Sequence, residues 1–161
     1  SLVEKARYLI NFGIKNREDI PELGINAKMN EFEAAMGLCV LDDINELNLQ
    51  RGLIYDLYKK ELEGFVIFQD QNSNSTPNHS YFPIILESEG QLKIIEAALN
   101  KKFIFPRRYF YPSLDTLVYI KPKQVCDISR DISSRVLCLP IYPGLEIKQQ
   151  QLIIKIIKNE V

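Results

Sequence analysis

Residues 30–62 read NEFEAAMGLCVLDDINELNLQRGLIYDLYKKEL and contain no proline. Asn30 is a favourable N-cap residue, and two glutamates follow in the first turn, where the helix dipole stabilises carboxylates. Apolar residues then recur every three to four positions as far as Leu62. The segment predicts one long helix, with a bend near Gly52. Because such a helix is longer than a small domain can cover, part of its apolar face should meet a surface outside this chain.

The residues after this helix predict short strands that alternate with helices. Four apolar segments predict strands, at residues 65–68, 81–86, 103–105 and 136–139. Helical spacing predicts helices at residues 91–101, 127–135 and 146–159, with Asp127 as the cap of the second. Pro83 lacks an N–H group, so its strand is expected at an edge of the sheet. The predicted fold class is therefore α/β, a long helix plus a small, mainly antiparallel sheet covered by helices.

The residues before the long helix predict a helix followed by an irregular arm. Helical spacing covers residues 2–12, and Gly13 is expected to end the helix. Residues 14–28 predict no regular element, because Ile20-Pro21 disfavours a helix and Gly24 permits a positive φ.

Composition excludes several classes of function. A net charge of −1 gives no broad basic surface for nucleic acid or anionic membranes. No apolar run has the length of a membrane span and the start shows no signal-peptide pattern. The three widely spaced cysteines have apolar neighbours and are predicted to be buried free thiols, which favours a reducing, cytoplasmic setting: Cys39, Cys126 and Cys138. With a single histidine, His79, the sequence predicts no metal site.

The sequence holds none of the common catalytic motifs. It has no Gly-rich phosphate loop, and it supports no Ser-His-Asp or Cys-His arrangement. The adjacent carboxylates Asp42 and Asp43 are best interpreted as part of a solvated helix face. These patterns supply no candidate catalytic residue.

Three segments remain as candidates for binding. Residues 24–31 place a turn, Asn26 and Lys28 directly before a helix start, which suits a phosphate group; simple helix capping is the alternative. Residues 106–112 place two arginines and three aromatics between prolines, which suits a phosphate beside a ring; packing of the aromatics onto the core is the alternative. Residues 136–143 are most simply a buried strand with a rigid exit.

Taken in order, these segments resemble the DegT/DnrJ/EryC1/StrS family of nucleotide-sugar aminotransferases. The matching motifs are EKARYLINFG at 4–13, GINAKM at 24–29, AAMGL at 34–38, PRRYFYPSL at 106–114 and LCLPIYP at 137–143. The resemblance covers essentially the whole chain. It implies the C-terminal portion of the type I aminotransferase fold, with residues 1–29 as a segment from the large-domain side that faces the dimer and the cofactor, and residues 30–161 as the small C-terminal domain.

The resemblance also implies roles for four residues. Asn26 matches a family asparagine that reaches the phosphate of the partner subunit's pyridoxal phosphate. Lys28 stands where the family commonly has arginine, and Arg108 stands where many members have histidine. Tyr109 matches an aromatic position near the sugar nucleotide. The resemblance implies that these three residues bind substrate. The Schiff-base lysine of the family has no counterpart here, so we expect this chain alone to bind no cofactor and to be inactive.

The activity implied for the full-length enzyme is a ping-pong transfer in a homodimer. An amino donor, usually glutamate, passes its amino group through pyridoxal phosphate to a keto-sugar carried on a nucleotide diphosphate. Two other classes stay open: a non-catalytic domain that binds a nucleotide sugar or a protein, and a DNA-directed regulator. The balanced charge and the lack of a basic recognition helix count against the regulator.

Overall fold

A computed structural model describes residues 1–109, 111–121 and 124–161, so Phe110 of the 106–112 segment lies outside the described residues. The chain divides into two compact units, Ser1–Ile44 and Asn45–Val161. The predicted division after residue 29 concerns the parent enzyme and stays a prediction.

The first unit consists of two capped helices and the arm between them. Helix α1 spans Leu2–Ile10 and helix α2 spans Glu31–Asp42. Each begins with a reciprocal capping box, Ser1 with Glu4 and Asn30 with Glu33, which satisfies N–H groups that a helix start leaves unpaired. The predicted cap at Asn30 is thus confirmed.

The arm folds back onto the end of α1 through a close approach of two glycines. A Cβ atom on Gly24 would lie 2.1 Å from the backbone nitrogen of Gly13, and Gly13 itself has a φ of +79°. Backbone hydrogen bonds from Ile25 to Leu9 (2.8 Å) and from Ala27 to Ile10 (2.9 Å) hold the arm there. The glycines therefore place the segment that carries Asn26.

The prediction of a single long helix over residues 30–62 was wrong in detail. The helical run is interrupted at Asp43, between α2 and helix α3, which spans Ile44–Leu62. The N–H of Asp43 bonds to the carbonyl of Leu41, and aspartate is a weak helix former, which explains a break here. Helix α3 passes through Gly52 without interruption, and Gly52 lies against the imidazole of His79.

The second unit is built on a three-stranded antiparallel sheet. Strands β1 (Ile67–Phe68), β2 (Phe82–Ile85) and β3 (Val136–Leu139) lie in the order β1-β2-β3. In the register Phe68 faces Ile84 and Pro83 faces Cys138. Helix α4 spans Glu89–Asn100, α5 spans Asp127–Arg135 and α6 spans Ile147–Glu160, and a 3₁₀ turn covers Leu114–Thr116. The α/β class and the antiparallel sheet are confirmed.

The predicted edge position of Pro83 was wrong, because β2 is the central strand. The backbone N–H and carbonyl of Cys138 bond to Arg107 on the far side of β3. Pro83 and Cys138 are therefore a pair without mutual hydrogen bonds, and the ring nitrogen of Pro83 faces the β1 side. Strand β1 ends opposite Ile84, so the missing N–H leaves no ladder bond unmade.

The prediction of a strand at residues 103–105 was also wrong. Phe103 adopts a φ of +58°, and the N–H groups of Phe103 and Ile104 bond to Asn100 and Leu99 at the end of α4. Extended pairing begins only at Arg107, which forms a bridge with Cys138. Helix α5 has the predicted bounds, but its N-cap is Cys126, without a side-chain hydrogen bond, and not Asp127.

The two faces of the sheet have different environments. Residues Phe82, Ile84, Leu137 and Leu139 pack with apolar side chains of α3, α4 and α6 into one core. The alternate residues face a cavity on the other side, which α5 also lines. Of the three cysteines Cys138 is buried, whereas Cys39 and Cys126 are exposed, which corrects the expectation for those two. Within the described residues no helix is long and apolar enough to cross a membrane, and no group of side chains could hold a metal ion.

Candidate functional site

The first unit brings Asn26 and Lys28 together and adds Asn11, which sequence reasoning missed. The Lys28 ammonium donates to Oδ1 of Asn11 at 2.9 Å and to Oδ1 of Asn26 at 3.0 Å. It also lies 4.5 Å from the centroid of the Phe12 ring. A backbone bridge between Asn11 and Asn26 fixes the spacing of the two carboxamides.

This arrangement orients both carboxamides. An ammonium can only donate, so each asparagine must turn its oxygen toward Lys28 and its NH₂ group away. Among the described residues neither NH₂ group makes a hydrogen bond. Two outward NH₂ groups beside an exposed cation form a donor set that suits a phosphate monoester, so these residues fit the phosphate of pyridoxal phosphate.

The second unit carries an open cavity of about 500 Å³ on the face of the sheet opposite the core. Its floor is formed by the outward residues of β2 and β3, and its sides by α5 and by two tyrosines; the lining includes Tyr81, Pro83, Tyr109, Ile132, Val136 and Cys138. The rings of Tyr81 and Tyr109 meet edge to face, 5.2 Å between centroids. Burial raises the pKa of the Cys138 thiol, so that thiol is a neutral part of the wall.

The two predicted substrate residues of this unit have different environments. Tyr109 lines the cavity, as a substrate-facing aromatic would. Arg108 is 18% exposed in its side chain, bonds to the Glu89 carboxylate and the Ser134 carbonyl, and stacks 3.8 Å from the centroid of Tyr111. Its guanidinium is thus engaged within the fold. The predictions that Arg108, Lys28 and Tyr109 bind substrate stay predictions.

A buried carboxylate anchors the chain beyond the cavity. Asp115 accepts hydrogen bonds from the Ser113 hydroxyl, the Cys126 N–H at 3.0 Å and the Arg130 guanidinium at 2.7 Å. These donors, the Ser113 hydroxyl first, hold the pKa of the Asp115 carboxyl below its ordinary value. The network ties the 3₁₀ turn to α5, one wall of the cavity.

Sequence spacing could not have identified these additional residues. Asn11 lies within the 4–13 motif, but its partner Lys28 is 17 residues away. Asp115 reaches Cys126 and Arg130 across 11 and 15 residues, and Tyr81 meets Tyr109 from a separate segment. One usable signal was the alternation of side chains along an extended segment, which sends neighbours such as Arg107 and Arg108 in opposite directions.

Comparison with solved structures defines the class of protein. An aminotransferase from Brucella abortus superimposes with a TM-score of 0.85 at 22% identity, over 98% of this chain and 43% of that chain. DesI, solved in the presence of its TDP-sugar product, superimposes with a TM-score of 0.81 at 25% identity, over 95% of this chain and 41% of that chain. The fold is therefore that of part of an aminotransferase.

Sequence comparison then gives the family. The sequence model of the DegT/DnrJ/EryC1/StrS aminotransferase family matches residues 1–158, and the chain belongs to that family. The resemblance stated from the motifs is thereby confirmed.

Two curated relatives of this chain have names that specify a nucleotide sugar. It is 36% identical over 150 residues to the dTDP-4-amino-4,6-dideoxy-D-glucose transaminase of Shigella dysenteriae, covering 88% of this chain and 41% of that protein. It is 30% identical over 140 residues to the GDP-perosamine synthase of Vibrio cholerae, covering 83% of this chain and 38% of that protein. The chain thus spans about two fifths of the length of these relatives.

Proposed function

We propose that this chain is the C-terminal part of a pyridoxal-phosphate-dependent aminotransferase that acts on a nucleotide-linked keto-sugar. The amino donor is glutamate, and the product serves the synthesis of cell-surface polysaccharide or of related sugars in the cytoplasm. The observation that carries the proposal is the family match over residues 1–158. The dTDP-sugar and GDP-sugar relatives support the nucleotide-linked acceptor.

The proposal gives this chain a binding role and no catalytic residue. Asn26, with Asn11 beside it, presents N–H donors to the cofactor phosphate of the partner subunit in a homodimer. Lys28 orients both carboxamides and adds positive charge for the substrate. Tyr109 faces the acceptor sugar nucleotide from the wall of the cavity. Pyridoxal phosphate, when bound, supplies the electrophilic ring that carries the amino group between donor and acceptor. The lysine that holds it belongs to the rest of the enzyme, so the 161-residue chain alone is inactive.

The variant Asn26→Asp in the full-length polypeptide tests the role of the donor set. Aspartate keeps the oxygen that accepts from Lys28 but replaces the outward NH₂ group by an anionic oxygen. We expect pyridoxal phosphate to bind about tenfold to a hundredfold more weakly, from the lost donor and the repulsion between anions. The measurement is a titration of the apo-protein followed by cofactor absorbance.

A matched control makes the same change of charge elsewhere in the first unit. Asn16 accepts a hydrogen bond from the Glu18 N–H, which aspartate also accepts, so Asn16→Asp should leave cofactor affinity unchanged. Unchanged affinity in Asn26→Asp would remove Asn26 from the cofactor site. Weaker affinity together with a lower melting temperature of the apo-protein would favour a structural role of Asn26 in the arm, where it accepts from Lys28.

A further inference from the structure

The two neighbouring arginines of the 106–112 segment have opposite environments. Arg108 points into the fold, where its Nη2 donates to the Glu89 carboxylate and to the Ser134 carbonyl, whereas its buried Nε has no hydrogen-bond partner among the described residues. Arg107 is exposed, and within the described residues no carboxylate lies in ion-pair distance of it. Its one side-chain hydrogen bond in that part of the chain runs from Nη1 to the Tyr109 hydroxyl. The guanidinium therefore keeps most of its five N–H donors for another acceptor.

The backbone holds the Arg107 side chain on the cavity side of the sheet. Arg107 and Cys138 exchange both backbone hydrogen bonds, at 3.0 and 2.8 Å. Directly paired residues of an antiparallel ladder project to the same face. Cys138 lines the cavity, so Arg107 lies on that face too, at the edge of the sheet. The contact with Tyr109, 5.6 Å from guanidinium carbon to ring centroid, places the charge beside the cavity wall.

A cation beside an apolar cavity with aromatic walls suits a ligand that is both anionic and partly apolar. The wall offers two tyrosine rings and aliphatic side chains, which suit the face of a base or sugar. The guanidinium fork matches two oxygens of one phosphate. A nucleoside diphosphate has both parts in one molecule.

We infer that Arg107, and not Arg108, is the guanidinium that binds the diphosphate of the nucleotide sugar, with Tyr109 as the ring that orients it. This inference rests on the proposed function for the identity of the ligand. It assigns Arg107 a binding role that discriminates nucleotides from free sugars or nucleosides. It assigns Arg108 the structural role of fixing the segment to α4 and α5.

The test compares dTDP with thymidine, which differ by the diphosphate alone, as ligands of the 161-residue chain. Affinities are measured by titration with amide NMR shifts, which remain informative for dissociation constants in the millimolar range. We expect dTDP to shift the amides of Tyr81, Tyr109 and Cys138. Arg107→Gln should weaken dTDP binding roughly tenfold and leave thymidine binding unchanged, and Arg107→Lys should fall between, because it keeps the charge but not the fork.

Two control variants separate binding from folding. Arg51→Gln removes another guanidinium of the second unit, one that bonds to Asn48 on α3, and should leave dTDP affinity unchanged. Arg108→Gln should lower the melting temperature, since it removes the contacts with Glu89 and Ser134. At a temperature where that variant is still folded, it should bind dTDP as the wild type does.

The outcomes also separate this inference from the proposed function. Equal dTDP affinity of wild type and Arg107→Gln would overturn the inference and leave the transaminase proposal intact. So would a loss of dTDP binding in Arg108→Gln without a change in its melting temperature. If Arg107→Gln weakened the binding of dTDP and of thymidine equally, the inference would likewise be overturned. It would also be overturned if the wild type bound no dTDP. The transaminase proposal is decided by turnover of a keto-sugar nucleotide.

Discussion

At the scale of single residues, Asp115 links the pH dependence of stability to the wall of the cavity. Its carboxylate accepts from Ser113, the Cys126 N–H and Arg130, and these contacts lower its pKa from the ordinary value of 3.8. A carboxyl whose pKa is lower in the folded state stabilises the fold above its unfolded pKa. That stabilisation is lost as the pH falls through the lowered folded value.

We predict that Asp115→Asn lowers the urea midpoint of unfolding at pH 7 and flattens its decline at acid pH. At pH 7 the carboxylate is fully stabilising. Below pH 3.8 the unfolded chain takes up the proton first, so the difference shrinks, and the two curves should converge once the pH has fallen through the lowered pKa of the folded carboxyl. The control is Asp70→Asn, in an exposed loop, which should leave the acid decline unchanged. A constant difference between wild type and Asp115→Asn across this range would contradict the assignment.

Two glycines of the first unit give a second prediction at this scale. A Cβ on Gly24 would lie within 2.1–2.7 Å of backbone atoms of Gly13, Phe12 and Leu9, whereas a Cβ on Gly37 would meet no atom within 4 Å. Gly24→Ala should therefore open the arm, at a cost of about 1–3 kcal/mol. Gly37→Ala should favour α2 by about 1 kcal/mol. Hydrogen exchange at the Ile25 and Ala27 amides, which bond to carbonyls of α1, measures the first effect, and exchange at the amides of α2 measures the second. Unchanged protection of Ile25 and Ala27 in Gly24→Ala would refute the packing described for the arm.

At the scale of elements, α2 is apolar on every side and yet has no buried residue among those described. Its large apolar side chains are exposed: Phe32, Met36, Leu38, Val40 and Leu41. A helix that is apolar all round is normally enclosed by other parts of a protein. Exposed apolar patches of this kind drive association.

We predict that the isolated chain self-associates through α2. The double variant Phe32→Lys/Met36→Lys should shift sedimentation toward the monomer without lowering the melting temperature of the second unit. Leu53→Lys, which changes one exposed apolar residue of α3, is the matched control and should leave association unchanged. A wild-type chain that sediments as a monomer at high concentration would count against the prediction.

Local patterns predicted the elements better than their arrangement. The cap at Asn30, the bounds of α5 and the buried strand at 136–139 follow from contacts within a few residues. The central position of β2 depends on β1 ending before it reaches Pro83, which involves residues far apart in sequence. The break at Asp43 depends on one weak helix former within a strong helical pattern.

The candidate site shows the same limit. Motif matching proposed Asn26, Lys28, Arg108 and Tyr109, because each lies in a segment with a recognisable order of residues, and their binding roles stay predictions. It did not consider Arg107, since a sequence does not say which of two neighbours in an extended segment points inward. Asn11 emerged only from the fold, through the hydrogen bond from Lys28 across the arm.

At the scale of the whole molecule, the two units differ in how they are stabilised. The second unit has a continuous apolar core. In the first unit the described residues bury no apolar side chain, so capping boxes and backbone hydrogen bonds hold it together. Such a unit is expected to be stable mainly when another surface covers it. That expectation agrees with the proposal that residues of this unit face a partner subunit.

The most direct measurement of the central claim is an aminotransfer assay of the full-length polypeptide with pyridoxal phosphate, glutamate and a panel of nucleoside-diphosphate keto-sugars. Mass spectrometry of the nucleotide sugar and quantification of glutamate give the two halves of the reaction. The account predicts one amino-sugar nucleotide formed for each glutamate consumed, and no product from the 161-residue chain alone. No amino-sugar from any acceptor, or turnover by the chain alone, would contradict it.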